Sequence, residues 1–494
     1  MSFLAVFLAS LAAGAVLLIA GMLVLPPLMR GIGNRMMRIM IRDVYTGNLF
    51  GMVSVARRLT LQGTGETLLR AGSQGKAIQR PMGSPLHFSP WEDLLFTPAQ
   101  LGRQPLLASE KTDLSVVIGP RAKRPLKVDI PLLVTGMSYG GALTGKAKVA
   151  LARAANRVGT ATNSGEAFLA SERREAERLI VQFHRGTWPK SPQNQPQLLA
   201  AADAIEIQVG QGAQAGAPIR TAAENVDKNM RSAYGLEPGK DALIDGRFKE
   251  VDSPEDLRTL IDRLHEEYPV PVGVKLAAAD TIEDDIERLM DAKPDFICID
   301  GAEGGTHGGP IILQDDFGLP TMHAIARADK HLRDLGLRDG VTLIAAGGLH
   351  SPGICLKAIA LGADACYLGT TLMLAIASDQ VIQALPWEPP YSLFLETGSR
   401  KGSFSVEEGA QRAGDFLQSS AQELDFGLRA LGKSAVAEVS REDMIALTPE
   451  ASRLTGCRMP YGPEHKAPRT EEQGPRYAPP AWEEQPQQER RPLH

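Results

Sequence analysis

Residues 341–373 read VTLIAAGGLHSPGICLKAIALGADACYLGTTLM. Two short apolar runs, Thr342–Ala346 and Ala365–Leu368, each pass directly into glycine: Gly347-Gly348 after the first and Gly369 after the second. Between them lies one helix-length amphipathic stretch, Pro352–Leu361. Strand, glycine turn, helix, strand is the pattern of a parallel βα unit, because parallel neighbours need a long crossover. Moving towards the N-terminus, the same kind of run recurs at Leu132–Thr135, Gly159–Thr162, Leu179–Phe183, Ala204–Val209, Val272–Leu276 and Asp295–Asp300, which brings the count to eight. Helical periodicity fits the intervening ALTGKAKVALARAANR, with Leu143, Ala147, Ala150, Leu151 and Ala154 on one face, and Pro254–Glu267, Ile282–Asp291 and Met322–Leu332. Eight βα units close naturally into a barrel, whereas an open doubly wound sheet usually stops at about five to seven strands. The expected fold is therefore α/β, a (β/α)8 TIM barrel.

The rest of the 494 residues is arranged around that barrel. From Phe3 to Leu28 there is no charged residue, and Arg30, Arg35, Arg38 and Arg42 come immediately after. An apolar run of this length exceeds the ~20 residues a helix needs to cross a bilayer, and the arginines place the remainder of the chain on the cytoplasmic side. The expectation is a single-pass transmembrane helix in the cell membrane with the catalytic domain cytoplasmic; a signal peptide and a buried helix are the alternatives. Residues 1–42 are assigned to this anchor and its basic flank, 43–128 to an extension packing on the barrel, 129–377 to the barrel, 378–461 to a helical extension, and the Pro- and Gln-rich 462–494 to a disordered tail. With 53 Lys and Arg against 58 Asp and Glu, the net charge of -5 offers no global basic field for a nucleic acid. The four cysteines, Cys298, Cys355, Cys366 and Cys457, are scattered without a CxxC pair, so neither a disulfide framework nor a cysteine-bound metal is expected.

Barrel chemistry sits at the C-terminal strand ends, and phosphate is often held by the loops after strands 7 and 8. Here those loops are Gly347-Gly348-Leu349 and Gly369-Thr370-Thr371, whose glycines leave backbone N–H groups open to an anion; tight turns without a ligand are the plain alternative. The other strand ends are polar: Asn163-Ser164-Gly165-Glu166, Gly210-Gln211-Gly212, Lys275, and Asp300 to His307. Lys275, between Val274 and Leu276 in an apolar strand, needs an anionic partner. A flavin's N1/O2 region, a substrate carboxylate, or an internal bridge to Glu206 or Asp300 would each serve. His307 at the mouth is either an acid or base near neutrality or a rim residue bonded to a carbonyl. No GxGxxG comes after a strand, so a tightly bound nicotinamide dinucleotide is not expected.

Seven segments in order, GMSYGGALTGKAK (136–148), GTATNSGEAF (159–168), IEIQVGQGA (205–213), VGVKL (272–276), ICIDGAEGGTHGGP (297–310), VTLIAAGGL (341–349) and LGADACYLGTTLM (361–373), resemble the FMN-binding synthase domain of glutamate synthases, over roughly Trp91 to Leu431. The resemblance implies FMN as cofactor. Met137, Ser138 and Tyr139 would pack on the flavin, Gln208 or Gln211 would touch its ring, and Lys275 would face N1/O2. Gly347, Gly348, Gly369 and Thr370 would hold the phosphate, with Glu303, Gly304, Gly305 and Thr306 also in the cofactor site. Glu166 would lie near the substrate, and Lys275, Glu166 and His307 are the candidate catalytic residues. The implied reaction passes hydride between FMN and an imino or amino acid, with 2-oxoglutarate and ammonia giving L-glutamate.

The chain departs from the family pattern in four places. Ser378 to Gly402 has no cysteine, so no 3Fe-4S cluster is expected. The sequence starts Met1-Ser2, without a nucleophilic cysteine or space for a glutaminase domain, so nitrogen is expected as free ammonia or from a partner. Gln214 stands where the family has a lysine that helps hold the 2-oxo acid carboxylate, and Arg220 is the candidate replacement cation. GMSYGGAL carries one extra glycine. The expected partners are a small amino or oxo acid, an electron-donor protein or subunit, and a lipid membrane. The alternatives are another FMN-barrel oxidation, of a 2-hydroxy acid or an amine, and a non-catalytic FMN- or phosphate-binding membrane module.

Overall fold

The computed structural model describes residues 3–41, 50–214, 216–306 and 309–461. The expected tail, 462–494, and His307 lie outside the described residues. The chain divides into two compact units, one of residues up to Pro81 with a short stretch ending at Leu313, the other holding the remainder.

Among its described residues the first unit holds α1 (Phe3–Ile41) and α2 (Phe50–Gly72), the latter kinked by non-helical backbone at Thr60, with φ 62° and ψ 164°. Within α1, Leu11–Arg38 has a mean hydropathy of 2.3 and none of it is buried, so it is long and apolar enough to cross a membrane. In α2, Glu66 forms an ion pair with Arg80 at 2.6 Å.

The second unit is built on eight parallel strands: β1 (Leu132–Val134), β2 (Thr162–Asn163), β3 (Leu179–Phe183), β4 (Ala204–Gln208), β5 (Val272–Ala277), β6 (Phe296–Asp300), β7 (Thr342–Ala346) and β8 (Ala365–Leu368). Their order around the sheet is β1-β8-β7-β6-β5-β4-β3-β2. The sheet is nearly closed. Between its two end strands the Val134 N–H donates to Ala161 O at 3.0 Å and the Thr160 hydroxyl to Leu132 O at 2.6 Å. All eight strands match the expected runs to within a few residues. The exception in position is β2, expected at Gly159–Thr162. Gly159 has φ +65° and a Cβ there would lie 1.9 Å from Asp129 Oδ2, so this residue makes the turn into the strand and not the strand itself.

Crossover helices alternate with the strands as expected at α3 (Gly145–Arg157), α4 (Pro254–Glu267), α5 (Ile282–Ala292), α6 (Thr321–Asp334) and α7 (Pro352–Ala360), and a further helix, α8 (Thr370–Ala377), follows the last strand. Their starts are chemically marked. Ser253 and Asp256 form a reciprocal capping box around Pro254, and the Ser351 hydroxyl accepts from the Ile354 N–H one residue before Pro352. A hairpin of Val116–Ile118 and Leu126–Val128 buries Ile118, Leu126 and Val128 in the same apolar cluster as the inward-facing Leu133, Phe296 and Ile344. The long helix α9 (Val406–Leu431) lies on α3, where Gly414 leaves room for Arg157 and Gly409 for Phe404.

Helix α3 departs from expectation at one residue. Lys148 is fully buried, although it belongs to a helix read as burying only Leu and Ala. It pairs with buried Glu172 at 2.9 Å and donates to the carbonyls of Asn163 at 2.7 Å and Ser164 at 3.3 Å. A buried charge persists only when paired and bonded, and here it fixes the loop that leaves β2.

Candidate functional site

Inside the barrel mouth the strands place a connected polar set. Glu206 on β4 is fully buried and accepts from Gln182 Nε2 at 2.8 Å, Asn163 Nδ2 at 3.0 Å and the Tyr367 hydroxyl at 2.8 Å. Gly136, after β1, leaves room for this network, because a Cβ would stand 2.7 Å from Gln182 Nε2 and displace its amide. On β5, Lys275 pairs with Asp300 at 3.3 Å and lies 5.8 Å from the centre of the Tyr367 ring. Of the partners open to Lys275 in the sequence, Asp300 is therefore present within the chain. Burial works against the lysine's charge, but Asp300, with Glu206 behind it, holds the ammonium well above the ordinary lysine range. Among the described residues Asp300 is its one bonded partner, which leaves N–H donors unused.

The remaining expected residues fall around this set. Ser138 donates to Glu166 Oε2 at 3.0 Å and accepts from the Glu166 backbone N–H at 3.1 Å, so the loops after β1 and β2 are tied together. Met137 is buried and Tyr139 half-buried. Gln208 and Gln211 are bonded to each other at 2.9 Å, and Gln208 Oε1 is buried without a partner. Gly347 and Gly348 have φ +101° and +69°, so the turn after β7 requires glycine. Gly369 precedes α8, and a Cβ there would meet only Thr135 Cγ2, at 3.1 Å. Thr370 donates to Met82 O at 3.4 Å. Thr306 accepts from Gln214 Nε2 at 3.2 Å, and Gly304 lies so close to Asp300 that a Cβ would be 2.5 Å from Oδ1. Gly305 is exposed, against the backbone of Met82.

Two expectations change. Glu303 does not present a free carboxylate: Oε2 accepts from Thr321 N at 2.9 Å and Thr321 Oγ1 at 2.8 Å, and Oε1 accepts from the Ser89 hydroxyl. It caps the N-terminus of α6, where a carboxylate is favoured by the unsatisfied N–H groups. Arg220 is engaged elsewhere. It lies on the short strand Ile219–Thr221 with its side chain largely exposed, and bonds Asp241 at 2.6 Å.

The loop after β3 carries residues that the sequence reading passed over. His184 is fully buried; its Nδ1 accepts from the Gly186 N–H at 2.9 Å, so the single proton of the neutral ring sits on Nε2. Burial, reinforced by the neighbouring Arg185 charge, pulls this imidazole down to about 3. Its ring lies 4.9 Å from that of Trp188, which stacks on Tyr234 at 4.1 Å. Burial and the Glu166 charge push the Tyr234 phenol far up, so it stays protonated. The one signal for this cluster was a His-Arg pair directly after an apolar barrel strand.

The family model described as the conserved region in glutamate synthase matches residues 91–383. The chain belongs to the glutamate synthase family. It is 32% identical over 413 residues to the glutamate synthase large subunit-like protein of Rhizobium meliloti, covering 78% of this chain and 90% of that one. It is 34% identical over 314 residues to the archaeal-type glutamate synthase (NADPH) of Thermotoga neapolitana, covering 63% of this chain and 61% of that one. The chain thus spans less than two thirds of that relative's length. Among solved structures, the monotopic membrane protein (S)-mandelate dehydrogenase aligns with a TM-score of 0.47 at 16% identity, over 72% of this chain and 89% of that one.

Proposed function

We propose that this family member is an FMN-dependent oxidoreductase of glutamate synthase type that acts on an imino or amino acid. The observation that carries the reading is Lys275: a buried ammonium at a strand end, kept charged by Asp300 and retaining donors for a further anionic group. The surroundings fit a flavin nucleotide. Gln208 Oε1 is a buried acceptor without a donor, and the open face at Gly369 leaves a ligand free access to backbone at the start of α8. When bound, FMN supplies a ring that takes up and returns hydride. Lys275 would steady negative charge at the ring's pyrimidine edge, Gln208 and Gln211 would bond the ring, and Gly347, Gly348, Gly369 and Thr370 would hold the phosphate. Met137, Ser138 and Tyr139 would cover one ring face and exclude water, with Glu166 held by Ser138 beside the substrate. Because Glu303 is engaged on α6, its part is to fix the Gly304-Gly305 loop. No 3Fe-4S cluster enters this reading, so electrons arrive from a donor protein or subunit. The apolar α1 is taken as a single-pass membrane anchor with the barrel in the cytoplasm.

The test is the visible spectrum of the purified protein, then acid release of the chromophore. Flavin bands and released FMN are expected, with Lys275→Ala slowing flavin reduction at least tenfold. A colourless protein that does not take up added FMN would overturn the reading.

A further inference from the structure

The loops after β2 and β3 bring an unpaired positive and negative charge into one buried place. Arg185 is 2% exposed and Glu166 4%. Arg185 Nη1 donates to Gly246 O at 2.9 Å, Nη2 reaches Gln214 Oε1 only at 3.5 Å, and Nε has no partner. Among the described residues no carboxylate forms an ion pair with it. Asp245, whose backbone N–H approaches Arg185 O at 3.5 Å, lies 3.3 Å from Lys249 through Oδ2 and acts on the guanidinium without bonding it. On the other side, Glu166 Oε2 is held by Ser138 while Oε1 is buried without a donor. The two charges are close enough to act on each other, since Glu166, together with Asp245, opposes the downward pull of burial on the guanidinium. On the same loop, the Nε2–H of His184 and the Nε1–H of Trp188 also lack acceptors.

A desolvated guanidinium with a free donor is strongly disfavoured unless an anion completes it. Planar carboxylate is the group its geometry suits. The free Oε1 of Glu166 is an acceptor, suited to the N–H of an ammonium or imine. One ligand satisfies both when its carboxylate and nitrogen sit on adjacent atoms.

We propose that Arg185 is the residue that binds the α-carboxylate of the substrate, and that Glu166 Oε1 takes its α-nitrogen, which makes this a site for an α-amino acid and its 2-imino form. The inference rests on the amino-acid reading proposed for the barrel and names the residue responsible. Gln214, at the position where the family resemblance implies a lysine, is bonded to Thr306 and approaches Arg185 only at 3.5 Å, so it supplies no charge to the guanidinium. Arg220 plays no part.

The experiment is isothermal titration of the full-length protein, in detergent, with 2-oxoglutarate and with L-glutamate. Arg185→Gln is expected to weaken both at least tenfold, and Arg185→Lys to recover part of the loss. Glu166→Gln is expected to weaken L-glutamate at least tenfold while leaving 2-oxoglutarate within about threefold, a split that a general loss of structure does not produce. Thermal unfolding of each variant identifies any that fails to fold, and Arg185→Lys then carries the test. Equal binding of both ligands by wild type and Arg185→Gln would overturn the proposal, as would a wild type that binds neither. Protein that releases no FMN yet loses 2-oxoglutarate binding in Arg185→Gln would refute the flavin reading and uphold the carboxylate site.

Discussion

Replacing His184 with asparagine should remove an acid sensitivity built into the β3 loop. In the folded protein the ring titrates at about 3, against 6.5 for a free histidine. Between these values the unfolded chain binds the proton and the folded one does not, so stability rises with pH. The contribution is fully present above pH 6.5 and is lost as pH falls towards 3. Protonating the unfolded state by this one group costs about 3 kcal/mol of stability between about pH 7.5 and pH 4.5, from roughly 1.4 kcal/mol per unit below the unfolded value. Asparagine does not titrate, and its Oδ1 can take over the bond from the Gly186 N–H that His184 Nδ1 now accepts at 2.9 Å. His184→Asn should therefore lose about 1–3 kcal/mol at neutral pH from the vanished ring contact with Trp188, but depend less on pH by about 3 kcal/mol over that interval. Urea unfolding of wild type and variant across the pH series, monitored by tryptophan fluorescence, gives the difference directly. If the two stability profiles stay parallel from pH 7.5 to pH 4.5, the assignment of a neutral buried His184 is refuted.

Two further outcomes test the scaffold. Lys148→Met should destabilise the protein by about 3–5 kcal/mol, because Glu172 is left buried and unpaired, while Lys148→Met with Glu172→Gln should recover much of that loss in the same urea assay; equal losses in the single and double variants would show that the pair is not what matters. Gly348→Ala should cost at least about 1–2 kcal/mol, since the residue sits at φ +69° and the new methyl would meet Glu303 Cβ at 2.7 Å; an unchanged melting temperature together with unchanged FMN retention would argue against a glycine-dependent phosphate turn.

Much of the architecture was legible in the chain because it depends on local regularities. β-Branched runs ending in glycine, alternating with helical periodicity, located eight strands, three of them with the boundaries found: Leu179–Phe183, Thr342–Ala346 and Ala365–Leu368. Helical periodicity starting at Pro254 located the start of α4 in the same way. Lys275 could be recognised as a buried charge from its apolar flanks, but not which of Glu206, Asp300 or a ligand anion pairs with it: Asp300 lies one strand away, and parallel neighbours are joined only through a crossover. Lys148 escaped notice for a related reason, because helical periodicity reports which face is buried and not whether a carboxylate awaits it there.

The sequence alone thus determined the βα repeat, the glycines that the turn after β7 needs, the apolar length of α1 and the polar character of the strand ends. Only the tertiary structure decided which polar groups are used up and which are left over. Glu303 and Arg220 looked available and are occupied by Thr321 and Asp241; Arg185, unremarked in the sequence, is buried with an unused N–H and feels the charge of Glu166. The physical reason is that a charge acquires its cost and its function from desolvation and from partners far away in the chain, and neither is written in its neighbours along the sequence.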